Sequence, residues 1–227
     1  MSQLALDFGH RAALGADDFL IAGSNRGAVL WLDRWPDWPA PALTIHGPPG
    51  CGKTHLAHVW QASSGARRLI ASEIAGRTPA EVLGELRYAV VDDIDPTRLD
   101  EPALLHLFNV VAERGGHLLI LAEAPPARWP IGLADLRSRL AAAPAVAIGA
   151  PNDALIGTVF AKLFVDRQLR VGDEVVSFLL ARMERSLGAA RRIVAALDAA
   201  ALTGHRNITI PLARRVLDDI EKTDKGT

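Results

Sequence analysis

Short apolar runs alternate with amphipathic, helix-like segments along the first part of the chain. The apolar runs are Ala42–His46, Arg68–Ala71, Tyr88–Asp92, His117–Ala122 and Ala145–Gly149. The helix-like segments between them include Thr54–Gln61, Pro79–Leu86 and Glu101–Glu113. Strands that alternate with helices are typical of a parallel sheet with both faces covered. We therefore predict an α/β fold in which helices sandwich a parallel sheet.

Beyond Pro151 the apolar residues follow a helical period instead. One series contains Leu155, Ile156, Val159, Phe160, Leu163 and Phe164, and a second contains Val175, Val176, Leu179, Leu180 and Met183. A third helix is predicted from about Gly188 to Leu202, and a fourth after Pro211, a residue that suits a first helical turn. The change of period predicts an α/β domain at residues 11–150 and a smaller all-helical domain at 151–227.

Composition and charge narrow the class of protein. The chain has 227 residues, of which 49% are hydrophobic, and a net charge of −1. Proteins that grip nucleic acid usually carry a basic excess, so we expect no sequence-specific DNA binding. No apolar run approaches a membrane span, and the first residues lack the pattern of a signal peptide. Because the only cysteine is Cys51, no intrachain disulfide can form, and we expect a cytoplasmic protein without a membrane partner.

The segment Gly47–Thr54 carries the strongest chemical signal. It fits the phosphate-loop pattern, a glycine, four residues and then Gly-Lys-Thr, and it lies between a predicted strand and a predicted helix. Glycines let backbone N–H groups approach an anion, and the helix N-terminus adds partial positive charge. Lys53 would contact the β- and γ-phosphates, and the Thr54 hydroxyl would bind Mg²⁺. The alternative is a Gly/Pro surface turn, which the flanking strand and helix disfavour.

Acidic residues end two of the predicted strands. An aspartate beside a phosphate loop can hold the Mg²⁺ shell, which is the role we predict for Asp92, while Asp93 would orient the attacking water. Glu123 follows another buried run and could face the γ-phosphate. The alternatives are an acidic turn for the two aspartates and a solvated strand end for Glu123.

Arginines near predicted helices are candidates for stabilising charge on a transferring phosphoryl group. They form two pairs, Arg137 with Arg139 and Arg191 with Arg192. Spacing by itself favours ordinary surface arginines in both pairs.

Two other features are predicted to be structural. His55 and His58 are three residues apart on a predicted helix, but no third metal ligand with suitable spacing accompanies them. Trp31, Trp35 and Trp38 lie in a proline-rich connector, which we expect to pack against the first domain rather than to bind a partner.

Taken in order, these motifs resemble those of AAA+ ATPases and, within that class, of the DnaA initiator family. Gly50–Leu56 resembles the family's phosphate loop, Val91–Ile94 its Walker B strand and Leu136–Leu140 its box VII. Asp18–Asn25 resembles the segment that lines the adenine pocket. The resemblance implies an AAA+ fold whose helical domain is a lid, with ADP or ATP and Mg²⁺ as ligands.

The resemblance also implies roles for individual residues. Nucleotide contacts are implied for Leu20, Ile21, Pro49, Gly50, Cys51, Gly52, Lys53, Thr54, His55, Asp92, Glu123 and Arg191. Thr54 and Asp92 would also hold Mg²⁺, and Arg191 would be the sensor-2 arginine of the lid. Arg139, the second arginine of box VII, would act on nucleotide bound to a neighbouring subunit. Asp93 stands where AAA+ ATPases commonly have glutamate, which implies weak or no ATPase activity of the chain itself.

The first residues resemble the short peptide that docks on the replicative sliding clamp. Gln3, Leu4, Leu6 and Phe8 would make the contacts, within a tail at residues 1–10. Two DnaA features are not found, the helix-turn-helix domain and most of the insertion that contacts single-stranded DNA. Together these points indicate the Hda group of DnaA-related regulators. The resemblance then implies docking on the DNA polymerase III sliding clamp and stimulated hydrolysis of DnaA-bound ATP, which suppresses re-initiation of replication. It leaves a homo-oligomer open.

Two other functions stay open at this point. An AAA+ ATPase that loads the replicative helicase would share the core and the box VII arginine, but its N-terminal extension would grip the helicase. A nucleotide-gated adaptor would bring DnaA to the clamp without acting on hydrolysis.

Overall fold

The computed structural model describes residues 20–204 and 208–225. The described chain forms two compact units. The first contains residues 20–48 and 53–149, and the second contains residues 49–52 together with the described residues from 150 onwards. The predicted clamp-binding residues Gln3, Leu4, Leu6 and Phe8 lie outside the described residues.

A five-stranded parallel sheet forms the centre of the first unit. Its strands are β1 (Ala42–His46), β2 (Arg67–Ile70), β3 (Tyr88–Ile94), β4 (His117–Ala122) and β5 (Ala145–Ala147). Their order across the sheet is β2-β3-β4-β1-β5, and every pairing is parallel. The predicted bounds of β1 and β4 are confirmed. β2 begins one residue earlier than predicted, β3 runs two residues further, and β5 ends two residues sooner.

Both faces of the central strands are buried, which explains their continuous apolar runs. Leu43 and Ile45 point to one face of β1, whereas Ala42 and Thr44 point to the other, and all four are 0% exposed. In a parallel sheet, the helices of the crossover connections cover both faces. The predicted α/β fold class is confirmed.

Six α-helices and one 3₁₀ turn connect the strands in the described part of the first unit. They are α1 (Arg26–Asp33), α2 (Lys53–Ser64), α3 (Ala71–Ile74), α4 (Pro79–Leu83), α5 (Glu101–Glu113), the 3₁₀ turn Pro126–Arg128 and α6 (Ala134–Ala142). The bounds of α5 are as predicted, because Asp100 caps its first turn by accepting a hydrogen bond from Ala103 N–H at 3.0 Å. The helix α4 ends before the predicted Leu86, because Gly84 adopts a φ of 58°.

The described part of the second unit contains four helices, as the period of its apolar residues predicts. They are α7 (Asp153–Asp166), α8 (Asp173–Leu180), α9 (Leu187–Gly204) and α10 (Ile210–Lys225). Their buried side chains form one cluster, in which the rings of Phe160 and Phe164 stack with centroids 5.6 Å apart. Asn152 caps α7 by accepting a hydrogen bond from Leu155 N–H at 2.9 Å. No helix within the described ranges has the length and apolar character needed to cross a bilayer.

An aromatic cluster packs at the amino ends of the strands. The rings of Trp38 and Trp60 stack with centroids 5.4 Å apart, and Trp35 meets Trp60 edge-on at 6.0 Å. The rings of Tyr88 and His117 are nearly parallel, at 6.0 Å. The prediction that the tryptophan-rich connector packs against the domain is thus confirmed, although α1 occupies part of that connector.

Burial gives His117 an unusual electrostatic environment. Desolvation lowers the pKa of its imidazole, and the positive charge of Arg87 lowers that pKa further. Within the described part of the chain, its buried Nδ1 has no hydrogen-bond partner. A protonated His117 is therefore disfavoured in the folded state.

We expect acid to destabilise the fold through His117. The unfolded chain takes up this proton near the ordinary histidine pKa of about 6.5, whereas the folded chain resists it. The contribution to the free energy of unfolding is therefore complete above about pH 6.5 and is lost as the pH falls towards the lower folded-state value. Urea unfolding between about pH 8 and pH 5 should show this slope, and His117→Phe should reduce it.

The exposed His58 offers a matched control, since His58→Phe also removes one histidine and should leave the slope in place. Some slope should remain in His117→Phe, because the pKa of His46 is also lowered, first by burial. An unchanged slope in His117→Phe would show that the buried imidazole does not couple protonation to folding.

Candidate functional site

The glycine-rich loop connects the end of β1 to the start of α2. Gly50 has a φ of 69° and Gly52 a φ of 111°, a region that residues with a Cβ rarely adopt. The ammonium of Lys53 donates hydrogen bonds to the carbonyl oxygens of Gly47 at 2.7 Å and Pro48 at 3.0 Å. The first helical residue thus holds the beginning of the loop that precedes it.

Residues 49–52 of the loop belong to the second unit, where Gly50 contacts the start of α9. The Leu187 N–H donates a hydrogen bond to the Gly50 carbonyl at 2.8 Å. A Cβ on Gly50 would lie 2.5 Å from the Cβ of Ser186, so this position has room only for glycine. Ser186 is buried and caps α9 by accepting a hydrogen bond from Ala189 N–H at 2.9 Å.

The strand register brings the predicted polar groups to one edge of the sheet. Ala122, the last residue of β4, pairs with His46 of β1 and with Ile94 of β3. Carboxyl ends of parallel strands share an edge, so the loop after His46 and the acids around Asp92 are neighbours there. Glu123, which follows β4, is exposed at the same edge.

Asp92 is buried, unlike Asp93 and Glu123 at the same edge, and its carboxylate accepts several hydrogen bonds. Its Oδ2 accepts a hydrogen bond from the Thr54 hydroxyl at 3.1 Å, and its Oδ1 accepts one from Asp93 N–H at 2.8 Å. Arg68 also donates to Oδ2, from Nε at 3.2 Å and from Nη2 at 2.7 Å. The predicted pair of Thr54 and Asp92 is therefore in contact, and a third residue joins it.

Asp93 differs from Asp92 in backbone and in exposure. The pairing of β3 with β4 shifts register between Val91 and Ile94, and Asp93 within this irregularity has a φ of 58°. A bulge of this kind redirects side chains near functional sites. Asp93 is exposed, whereas Asp92 is 6% exposed.

Positive charge surrounds the end of β1. Burial lowers the pKa of His46, and the charges of Arg128 and Lys53 lower that pKa further. Arg128 ends the 3₁₀ turn after β4 and was not among the residues singled out from the sequence. Arg128 and Lys53 thus place positive charge near the start of the loop, which favours an anionic ligand.

The segment that includes Leu20 and Ile21 folds around the buried side chain of Asn25. Its Nδ2 donates to the Leu20 carbonyl at 2.9 Å, and its Oδ1 accepts from Ala22 N–H at 2.8 Å. Leu20 is half-buried, and Ile21 is 42% exposed. The Gly149 N–H, beyond β5, donates to the Ser24 carbonyl at 2.9 Å and joins this segment to the end of the sheet.

Helix α6 presents Arg139 on a firmly anchored backbone. The carboxylate of Glu101 accepts hydrogen bonds from the N–H groups of Gly132 and Leu133, which precede the helix. Arg137 donates to the Ile131 carbonyl at 3.0 Å and so has a structural role. The Nε of Arg139 lies 3.1 Å from the carboxylate of Asp135, one turn earlier, and its side chain is 38% exposed.

The remaining predicted residues lie in different surroundings. Cys51 is buried, His55 is half-buried on α2, and Arg191 is exposed on α9 of the second unit. Across residues 20–204 and 208–225, no group of three or more His, Cys, Asp or Glu side chains is arranged to hold a metal ion.

The donor set fits a phosphorylated ligand with a divalent ion. The ammonium of Lys53 supplies positive charge, the glycines permit close backbone approach, and the N-terminus of α2 favours an anion. Thr54 and Asp92 supply the oxygen atoms that Mg²⁺ prefers. Sequence reasoning missed Arg68 and Ser186; a serine before a helical run is a cap signal, whereas nothing in the sequence pairs Arg68 with Asp92.

The comparisons with known proteins concern the fold and the helical unit. Residues 161–217 match the protein-family model for the Hda lid domain. The whole fold is similar to domain III of the replication initiation protein DnaA from Thermotoga maritima, with a TM-score of 0.74, 18% identity, and coverage of 88% of this chain and 94% of that one. These comparisons show the fold of DnaA domain III and, over residues 161–217, a likeness to the Hda lid domain. The predicted AAA+ fold with a helical lid is confirmed.

Two further proteins are similar to this chain. AMPPCP-bound DnaA from Aquifex aeolicus has a TM-score of 0.68 and 15% identity, with coverage of 95% of this chain and 71% of that one. A Haemophilus influenzae protein described only as uncharacterized is 27% identical over 193 residues, which is 80% of this chain and 84% of that protein.

Gly50→Ala should test how tightly the loop is fitted. The substitution adds left-handed strain and a Cβ that overlaps Ser186, so we expect a loss of about 2–4 kcal/mol in the free energy of unfolding. Gly65→Ala is the matched control, because Gly65 has the same φ of 69° and a Cβ added there would meet nothing within 4 Å. It should cost only about 1–2 kcal/mol. Urea unfolding followed by circular dichroism measures both, and equal losses would show that the contact with Ser186 is unimportant.

Proposed function

We propose that this chain is an adenine-nucleotide-binding regulator that docks on the DNA sliding clamp and stimulates hydrolysis of DnaA-bound ATP. The match of residues 161–217 to the Hda lid-domain model carries the proposal, because a phosphate loop and a parallel sheet are common to AAA+ proteins in general. The consequence in the cell would be an ADP-bound, inactive initiator and no second round of initiation. Such a protein would act in the cytoplasm.

The loop edge of the sheet supports binding of ADP or ATP by the chain itself. Lys53 would donate to the phosphates, and residues 49–52 would offer backbone N–H groups. Leu20 and Ile21 would contact the adenine, and His55, Glu123 and Arg191 are proposed as further nucleotide contacts. Thr54 and Asp92 would hold Mg²⁺, which would neutralise phosphate charge. The DnaA structure that holds AMPPCP supports this assignment through its shared fold.

Weak or absent ATPase activity of the chain itself is part of the proposal. Asp93 is the candidate for orienting a water molecule, but its carboxylate is one methylene shorter than the glutamate expected there. Its exposed position at a backbone irregularity also contrasts with the buried, hydrogen-bonded Asp92. Bound nucleotide would then serve mainly to order the protein for its partner.

Arg139 is proposed to act in trans on ATP bound to DnaA. In that reaction water attacks the γ-phosphorus, the bond from this atom to the bridging oxygen breaks, and ADP and phosphate leave. Negative charge builds on the transferring group and the leaving oxygen, and a guanidinium stabilises it. The anchored helix α6 and the partial exposure of the Arg139 side chain support this role. The guanidinium would have to leave both the carboxylate of Asp135 and the ring of Phe108, whose centroid lies 5.7 Å from its Cζ.

Arg139→Ala should abolish stimulation while leaving nucleotide affinity unchanged. An arginine supplied in trans is worth a factor of about 10³–10⁵ in rate. The assay follows hydrolysis of DnaA-bound ATP with DNA-loaded clamp present, and calorimetry measures ADP binding. Asp135→Asn is the matched control, because it removes the partner of Arg139 but keeps the guanidinium, and it should retain stimulation.

Normal stimulation by Arg139→Ala would overturn this assignment. If the chain alone instead shows brisk hydrolysis that single-stranded DNA accelerates, the helicase-loader function is favoured. If DnaA is recruited to the clamp with no change in hydrolysis, the adaptor function is favoured.

Docking on the clamp is proposed for the tail at residues 1–10. In an extended peptide, Leu6 and Phe8 would enter an apolar pocket, Leu4 would add contact area, and the Gln3 amide would make directed hydrogen bonds. Leu6→Ala combined with Phe8→Ala should weaken clamp binding at least about 100-fold in a surface-binding assay. Asp7→Ala, between the two anchors, should change affinity less than about fivefold. Undiminished binding by the double variant would refute the role of the tail.

A further inference from the structure

Arg68 makes an ion pair that the AAA+ motifs do not require. Its Nη2 lies 2.7 Å and its Nε 3.2 Å from Asp92 Oδ2, the oxygen that also accepts the Thr54 hydroxyl at 3.1 Å. Asp92 Oδ1 accepts the N–H of Asp93 at 2.8 Å. Both oxygens of the carboxylate are thus engaged, and one of them accepts three donors.

The surroundings make this pair stronger than an ordinary surface ion pair. The side chain of Asp92 is 9% exposed, whereas that of Arg68 is 37% exposed. A charge-assisted hydrogen bond to a buried carboxylate is short and favourable, because water competes poorly for it. The guanidinium therefore supplies at Asp92 the positive charge that a divalent ion would otherwise bring.

The sheet itself fixes the position of Arg68. In the parallel register of β2 and β3, Arg68 pairs with Val90 and Ile70 pairs with Asp92. Residues two apart on a strand share a face, so Arg68 and Asp92 project from the same side of the sheet. Arg67, one residue earlier, projects from the opposite face. The ion pair is therefore a product of strand register rather than of a chance surface contact.

We propose that Arg68 is an internal cation that lowers the dependence of nucleotide binding on Mg²⁺. To bind Asp92, hydrated Mg²⁺ must either displace the guanidinium of Arg68 or bind a carboxylate whose negative charge that guanidinium already compensates. The chain then binds ADP almost as well without a divalent ion as with one. This inference rests on the proposed nucleotide binding and adds a residue that sets its metal dependence.

Calorimetric titration of the full chain with ADP, in excess EDTA and in excess Mg²⁺, tests the proposal. For the unsubstituted chain the two dissociation constants should differ less than about threefold. In Arg68→Gln the freed carboxylate should recruit the ion, and Mg²⁺ should tighten ADP binding about tenfold or more. Arg68→Lys restores the positive charge. The ratio of its ADP dissociation constants in EDTA and in Mg²⁺ should therefore return most of the way to that of the unsubstituted chain.

Arg67→Gln is the matched control, since it removes the same charge from the neighbouring residue on the opposite face. Arg67→Gln should keep the small ratio of ADP dissociation constants, in EDTA and in Mg²⁺, that is expected of the unsubstituted chain. Electron paramagnetic resonance of Mn²⁺ gives an independent readout, because bound Mn²⁺ in the presence of ADP should rise in Arg68→Gln and not in Arg67→Gln. Lys53→Ala should lose nucleotide binding, so it gives the background Mn²⁺ signal that does not depend on bound ADP.

The outcomes separate this inference from the proposed function. Tight ADP binding with a large Mg²⁺ effect in the unsubstituted chain would overturn the role of Arg68 and leave nucleotide binding intact. Equal ratios in Arg68→Gln and Arg67→Gln would do the same. Absence of ADP binding by the unsubstituted chain would overturn the proposed function and this inference with it. If circular dichroism shows that Arg68→Gln does not fold, the ratios for the unsubstituted chain and for Arg68→Lys still decide whether Arg68 sets the Mg²⁺ dependence of ADP binding.

Discussion

The parallel pairing of β1, β3 and β4 is the constraint on which the candidate site depends. Ala122 at the end of β4 faces both His46 and Ile94, so three strands end at the same level. The glycine-rich loop and the acids therefore lie at one edge although Thr54 and Asp92 are 38 residues apart in the chain. The buried apolar residues on both faces of these strands stabilise that register, because a slip of one residue would exchange the side chains of the two faces and disrupt their packing.

Charge at this edge is balanced among several groups rather than concentrated on one. Burial lowers the pKa of His46, and the positive charges of Arg128 and Lys53 near the loop lower that pKa further. Arg68 compensates the buried carboxylate of Asp92, which would otherwise carry a large desolvation cost. This edge is positive near the loop, and Arg68 neutralises the carboxylate of Asp92. Such an edge suits a phosphorylated ligand whose negative charge a metal ion offsets only in part.

Helix ends determine how the backbone near the functional residues is held. In the second unit, the carbonyl of Gly50 accepts the Leu187 N–H and Ser186 caps the same helix, α9. In the first unit, Glu101 accepts the N–H groups that precede α6, the helix that carries Arg139. Unpaired backbone donors at helix starts need such partners; Gly50 and Glu101 supply them from distant sequence segments, and Ser186 supplies one locally.

The sequence by itself determined the fold class, the change from alternating strands and helices to helices only, the glycine-rich loop and the apolar strand before Asp92, because these depend on local period and local residue type. The helix α1 and the transfer of Ala71 from the second strand to α3 were not predicted, because tertiary packing overrides weak local signals. Only the tertiary structure decided that Arg68 reaches Asp92, that Gly50 fits against Ser186, and that Arg137 donates to a backbone carbonyl while Arg139 pairs with Asp135. Each depends on strand register or on a contact between distant segments, which the order of residues along the chain does not specify.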